Sequence, residues 1–135
     1  MGQQQLLLLV IGIIIVSFAV LAGLEMFQRN ARQDEADGLL DRGFSIASHA
    51  VYWKTRSDPF NGGNQSYLGL LTDGLDVLAL DSTTIRGDYA ITDATVGTVE
   101  ITGISTRFPE VGIRVYVSGY NIDSSAVRFD GSLSL

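Results

Sequence analysis

The sequence predicts an α+β protein. It would have one long N-terminal α-helix, apolar in its front half and amphipathic in its rear half, packed on a C-terminal antiparallel sheet of about four strands. Three observations carry this. Residues 6–24, LLLLVIGIIIVSFAVLAGL, contain no charge and a single hydroxyl, Ser17. Residues 28–56 then place apolar side chains at the helical period, with no proline before Pro59. From Arg86 onward the period changes to two, and turn residues separate the alternating runs. The chain therefore divides into an apolar helix (1–27), its amphipathic continuation (28–56), and a loop with a β domain (57–135).

The apolar run comes first and sets the terms for the rest. Roughly nineteen residues at about 1.5 Å rise span roughly 28 Å, close to the hydrocarbon thickness of a bilayer. Every face of this helix is apolar, so it needs lipid or other apolar helices around it. The preceding residues Gly2, Gln3, Gln4 and Gln5 carry no basic side chain. The core is also longer than a usual signal h-region, so a retained anchor is expected rather than a cleaved signal. Gly12 and Gly23 each weaken the helix by about 1 kcal/mol relative to Ala and mark where it could bend or unwind. Ala19 and Gly23 form a small-xxx-small pair, which permits close helix approach.

In the continuation, Ala36, Leu40, Gly43, Ala47 and Val51 form the expected buried stripe, broadened by Leu39, Phe44, Ile46 and Ala50. Arg32, Asp34, Glu35, Asp37, Asp41 and Arg42 are assigned to the polar side. Pro59, Gly62 and Gly63 end the helix. Residues 65–82 are too rich in Leu for a surface loop. They are read as an irregular segment with a short helix or strand, lying over the sheet edge. Four strands follow. Their apolar residues are Tyr89 and Ile91, then Val99 and Ile101, then Ile113, Val115 and Val117, then Val127 and Phe129. Turns are expected at Thr92-Asp93-Ala94 through Gly97, at Phe108-Pro109-Glu110, and at Tyr120-Asn121-Ile122-Asp123.

Charge is unevenly distributed. Up to Arg56, basic and acidic residues balance; beyond it, acids dominate, and the net charge of −6 lies there. An acidic distal domain repels phosphate, which argues against nucleic acid as a partner. The chain has no Cys, so disulfides and thiolate metal sites are excluded.

The search for chemistry gives little. His49 is the only histidine, and no nucleophile elbow, phosphate loop or dinucleotide fingerprint accompanies it. Asp73, Asp76 and Asp81 lack calcium-loop spacing. Asn64-Gln65-Ser66 matches a glycosylation triplet. Phe18, Phe27, Phe44, Tyr52 and Trp53 along the helix are read as packing residues. No enzymatic activity, cofactor or metal is expected.

The run from Gln5 to Phe27, QLLLLVIGIIIVSFAVLAGLEMF, continuing as a helix to Arg56 and ending in a four-strand tail, resembles type IV pilins. The resemblance covers the layout of the whole chain, and its specific motif is the first 27 or so residues. It implies a structural subunit of a helical filament. Such a subunit sits in the inner membrane before assembly, handled by pilus assembly machinery, and then joins identical copies at the cell surface. Leu6, Leu9, Ile13, Val16, Val20 and Leu24 would pack the filament core. The helix would melt between Gly12 and Gly23, and Met1 and Gln5 would contact the adjacent subunit. The family's basic leader is not visible, so the chain reads as already mature or exported differently. The family usually carries Glu at the fifth mature position to neutralise a neighbour's amine. Gln5 stands there in this chain, and an amide can hydrogen-bond an amine without cancelling its charge.

Overall fold

Helix α1 runs through Gly2–Thr55 without interruption. The computed structural model describes residues 2–58, 62–72 and 74–135, so the helix stop expected at Pro59 lies outside the described residues. The chain forms two compact units, Met1–Gln33 and Asp34–Leu135. The second is a two-layer α+β unit. In it the rear of α1 covers one face of a four-stranded sheet made of β1 (Gly87–Ala94), β2 (Thr98–Ser105), β3 (Gly112–Ser118) and β4 (Asn121–Arg128). The strands pair in sequence order, each antiparallel to the next, as a simple meander.

The packed face of α1 is made of small residues with large ones between them. Ala36, Leu39, Gly43, Ile46, Ala47, Ala50 and Trp53 are buried against Tyr89, Val99, Ile101, Ile113, Val115 and Val117. Gly43 is the point of closest approach. A Cβ there would stand 3.0 Å from Ile113 Cδ1 and 3.1 Å from Val115 Cγ2. The buried stripe is rotated relative to the expected one. Leu40 and Val51 lie at its margin, and Phe44 is exposed. Adjacent helix positions differ by about 100° around the axis. A small rotation of the docked helix therefore exchanges which of two neighbouring apolar residues is enclosed. Glu35, assigned to the polar side from sequence, is buried. Its carboxylate accepts a hydrogen bond from Ser105 Oγ at 3.0 Å, and Arg86 Nη1 stands 4.0 Å away.

The C-terminus of α1 is closed by the loop that follows it. Gly63 N–H donates to the Trp53 carbonyl at 2.9 Å, Gln65 N–H to Lys54 at 2.8 Å, and Asn64 N–H to Arg56 at 3.1 Å. These bonds satisfy carbonyls that a helix end leaves open. They require a tight reversal in which Asn64 and Gln65 adopt positive φ, 48° and 67°. The Trp53 ring fills the space that Gly63 and Gly69 leave by lacking side chains. Residues 65–82 contain a 3-10 turn (Leu68–Leu70) and helix α2 (Gly74–Val77). Both contact β1, the edge strand, in agreement with a segment lying over the sheet edge.

Two strand boundaries differ from the sequence reading. Thr92, Asp93 and Ala94 belong to β1, where a register shift between Ile91 and Asp93 inserts a bulge at Thr92. β4 begins at Asn121, and Phe129 lies beyond its end. The turn before it is the two-residue Gly119-Tyr120, with Ser118 paired to Asn121 and Gly119 at φ +64°. A two-residue hairpin with Gly at its first position needs no further turn residues. Most of β4 is exposed, so the alternation expected around Val127 marks only its C-terminal end.

Because Ile113 and Val115 already crowd residue 43, Gly43→Val should overpack the helix–sheet seam. A loss of about 1–3 kcal/mol is expected, read as a lower midpoint in denaturant unfolding of the full chain in detergent. An unchanged midpoint would place the seam elsewhere.

Candidate functional site

The feature of the first unit with functional consequence is its lack of cover. No residue of the apolar window is buried, and helix Gly2–Thr55 is long and apolar enough to cross a membrane. Leu6, Leu9, Ile13, Val16, Val20 and Leu24 run along one side of α1 and are all exposed. Leu7, Leu8, Ile14, Ile15 and Phe18 on the other sides are equally open. The single chain therefore singles out no stripe.

Local chemistry suits this segment to an apolar setting. Ser17 Oγ donates to the Ile13 carbonyl at 2.7 Å, so its one hydroxyl brings no unmet hydrogen bond into hydrocarbon. Where charge begins, Arg29 Nη2 meets Glu25 Oε1 at 2.7 Å, one turn apart, and the two neutralise each other. α1 is helical through Gly12 and Gly23, and nothing lies within 4 Å of a Cβ built at either. The single chain supplies no steric reason for either glycine. Gln5 lies in the first turns of α1 and is exposed, whereas Met1 lies outside the described residues.

In the second unit polar and aromatic side chains gather in three places. At the C-terminal end of α1, Lys54 is buried, with Nζ 4.5 Å from the Tyr67 ring centroid and 4.7 Å from that of Tyr120. Both the ammonium (3.3 Å) and the Tyr67 hydroxyl (2.6 Å) donate to the Gly119 carbonyl. The cation lies between two aromatic faces and ties α1 to the β3–β4 turn. The sequence signal was available, since Lys54 lies four residues after Ala50 on the buried stripe. Burial, and next the neighbouring Tyr120, push the Tyr67 hydroxyl up to about 12.

The second place is the sheet face opposite the helix. Thr92 Oγ1 donates to Glu100 Oε1 at 2.8 Å and lies 3.0 Å from Thr102 Oγ1, while Arg114 Nε stands 3.0 Å from the same Glu100 oxygen. The β1 bulge turns Thr92 toward this network. Beside it is an open cleft of about 400 Å³, whose lining includes Asp93, Glu100, Tyr116, Asp123 and Ser124. The third place is the exposed side of α1. There the sequence reading of the aromatics as packing residues is corrected. Only Trp53 is buried, while Phe44, Tyr52 and, in the first unit, Phe18 and Phe27 are exposed. His49 is also exposed, with Nδ1 2.8 Å from the Ser45 carbonyl. Among the described residues no cluster of three or more His, Asp or Glu could hold a metal ion.

Comparison of the chain with protein-family models, with curated proteins and with solved structures finds no match.

The Tyr67 environment has a measurable consequence. Burial raises its folded value to about 12 from 10.0, so the neutral phenol is the form that folding favours. That contribution is complete below pH about 10 and is lost as pH rises toward about 12. Unfolding free energy measured across this window should fall with pH, and Tyr67→Phe should flatten the fall. An equally steep decline in the variant would assign the alkaline loss to other groups.

Proposed function

We propose that this chain is the structural subunit of a type IV pilus-like helical filament, held together by its apolar N-terminal helices. The observation that carries the reading is the uncovered helix. Roughly twenty apolar side chains, each worth about 1.5–3 kcal/mol on burial, have no partner within their own chain. Lipid and a bundle of identical helices offer the segment similar surroundings. Transfer from membrane to fibre then exchanges one apolar setting for another at small net cost. The internally bonded Ser17 and the self-neutralised Glu25–Arg29 pair suit either setting. Copies that associate head to tail without closing produce a helical fibre. In that fibre Leu6, Leu9, Ile13, Val16, Val20 and Leu24 pack the core, Gly12 and Gly23 admit local unwinding, and Met1 and Gln5 meet the next subunit. The inner membrane holds the protein before assembly, and the cell surface displays it afterwards.

The same exposed helix supports a second reading, a single-span anchored protein whose acidic domain binds a partner in the cleft beside Glu100. A pseudopilin forming a short fibre is a variant of the first reading.

Negative-stain microscopy of sheared cells, with mass spectrometry of the fibres, separates these. Abundant fibres containing this chain are expected, and solitary protein found only in detergent extracts would favour the anchored binding protein. Gly12→Asp and Ile15→Asp should each abolish fibres while leaving the β domain folded. A lone carboxylate in an apolar bundle costs several kcal/mol or shifts to its neutral form. Normal fibres from either variant would remove the helix from the core.

A further inference from the structure

A cleft in the second unit is walled by α1 on one side and by the segment leading into β1 on the other. It measures about 580 Å³, a size that suits a small-molecule ligand. Gly38, Arg42 and Ser45 line its helix side, and Thr83, Arg86 and Tyr89 line the other. The turn that carries Ile85 is braced by backbone bonds. Thr84 N–H donates to the Gly87 carbonyl at 2.9 Å, Tyr89 N–H to Ser82 at 2.7 Å, and Thr106 N–H to Arg86 at 3.0 Å. The cleft is therefore built into the fold.

Its floor holds donors without acceptors. Tyr89 is 2% exposed, and its hydroxyl makes no hydrogen bond of ordinary geometry. The neighbouring Thr84 hydroxyl is already committed to Gly87, donating to its carbonyl at 2.9 Å and accepting from its N–H at 3.2 Å. Arg42 Nε is buried and likewise has no hydrogen-bond partner. Buried donors left unpaired oppose folding, so their retention calls for a reason. Burial raises the Tyr89 pKa, so at neutral pH the phenol keeps its proton and can donate.

Arg86 adds a third donor. Its guanidinium lies against α1 at Gly38, where a Cβ would stand 2.8 Å from Arg86 Cζ. Glycine inside a helix costs about 0.5–1 kcal/mol relative to alanine, and here it makes room for a cation. Arg86 Nη1 is 4.0 Å from Glu35 Oε2. That is beyond hydrogen-bond length, so the carboxylate steers the guanidinium without occupying it. Arg42 and Arg86 both act electrostatically on the Tyr89 hydroxyl, which brings the three donors to one place.

The rim has the opposite character. Asp41 on α1 and Asp81 before β1 both line the cleft and are exposed. Ile85, 100% exposed, forms an apolar lip. A bare inorganic anion would satisfy the floor and be repelled at the rim. A neutral sugar would leave the guanidinium groups without a counter-charge. The single ammonium of an amino acid could not serve two acceptors on separate elements. A sugar acid meets all three demands, with a carboxylate, hydroxyls spread around a ring, and an apolar C–H face.

We propose that this cleft binds a sugar acid of the uronate type, with its carboxylate on Arg42, Arg86 and the Tyr89 hydroxyl and its ring hydroxyls on Asp41 and Asp81. All these residues belong to the Asp34–Leu135 unit. The site is the same in a fibre subunit and in an anchored protein, so it stands independently of the fibre reading.

The probe is D-glucuronate, titrated into the full-length chain in detergent and followed by calorimetry. Saturable binding is expected, with glucose and inorganic phosphate each weaker by about tenfold or more. Arg42→Gln and Tyr89→Phe should each weaken glucuronate binding by about tenfold, the worth of one hydrogen bond to a charged group. Neither should lower the melting temperature, because neither removes a bond made within the chain. Gly38→Ala should also weaken binding, by displacing Arg86. If Arg42→Gln fails to fold, Arg86→Gln applies the same test from a side chain that is 57% exposed. Absence of saturable glucuronate binding would overturn the site. So would glucose or phosphate binding as tightly as glucuronate, or full affinity in the folded arginine variant.

Discussion

An uncharged helical segment that is apolar on every side cannot be satisfied by a small two-layer domain. One sheet face can cover one helix stripe, as it does for Ala36, Leu39, Gly43, Ile46 and Ala50. The first half of α1 has no such stripe, because its Leu, Ile and Val residues are spread over every face, and all of them are exposed. That apolar surface, left uncovered, makes the helix a candidate membrane span. That constraint gives the protein its membrane-competent segment and motivates the fibre reading.

Within the second unit, stability comes from a seam of small helix residues against branched strand residues, closed at both ends by polar contacts. At one end Glu35 is held by Ser105, with Arg86 nearby. At the other, Lys54 lies between Tyr67 and Tyr120 and shares the Gly119 carbonyl with the Tyr67 hydroxyl. A charged group buried without partners would oppose folding. With these partners each instead fixes the rotation and position of α1 on the sheet. The loop after α1 adds a third restraint by bonding to its open carbonyls. The outward face of α1 is then left with Phe44 and Tyr52 exposed, and the braced turn at Ile85 holds a branched side chain in water.

The amino-acid sequence alone determined the class of the fold. A helix running from the first residues to Thr55 was legible because no proline precedes Pro59, the front half is an unbroken apolar run of bilayer length, and residues 28–56 keep the helical period. The meander was legible in β1, β2 and β3, where one buried face forces alternation. β4 was less legible, because an exposed edge strand containing Ser124 and Ser125 has no buried face to impose it. The sequence also identified the apolar segment and its lack of charge, which is the whole basis for expecting a membrane or a fibre.

Only the tertiary structure decided how the helix is rotated on the sheet. The pattern allowed Leu40 and Val51 as well as Leu39, Ile46 and Trp53 to face inward, because neighbouring positions on a helix are all apolar there. Docking against Ile113 and Val115 through Gly43 resolved the choice. It drew Glu35 and Lys54 inside and left Phe44 and Tyr52 in water. Periodicity records which residues could share a face, but the shape of the opposing sheet determines which of them are enclosed.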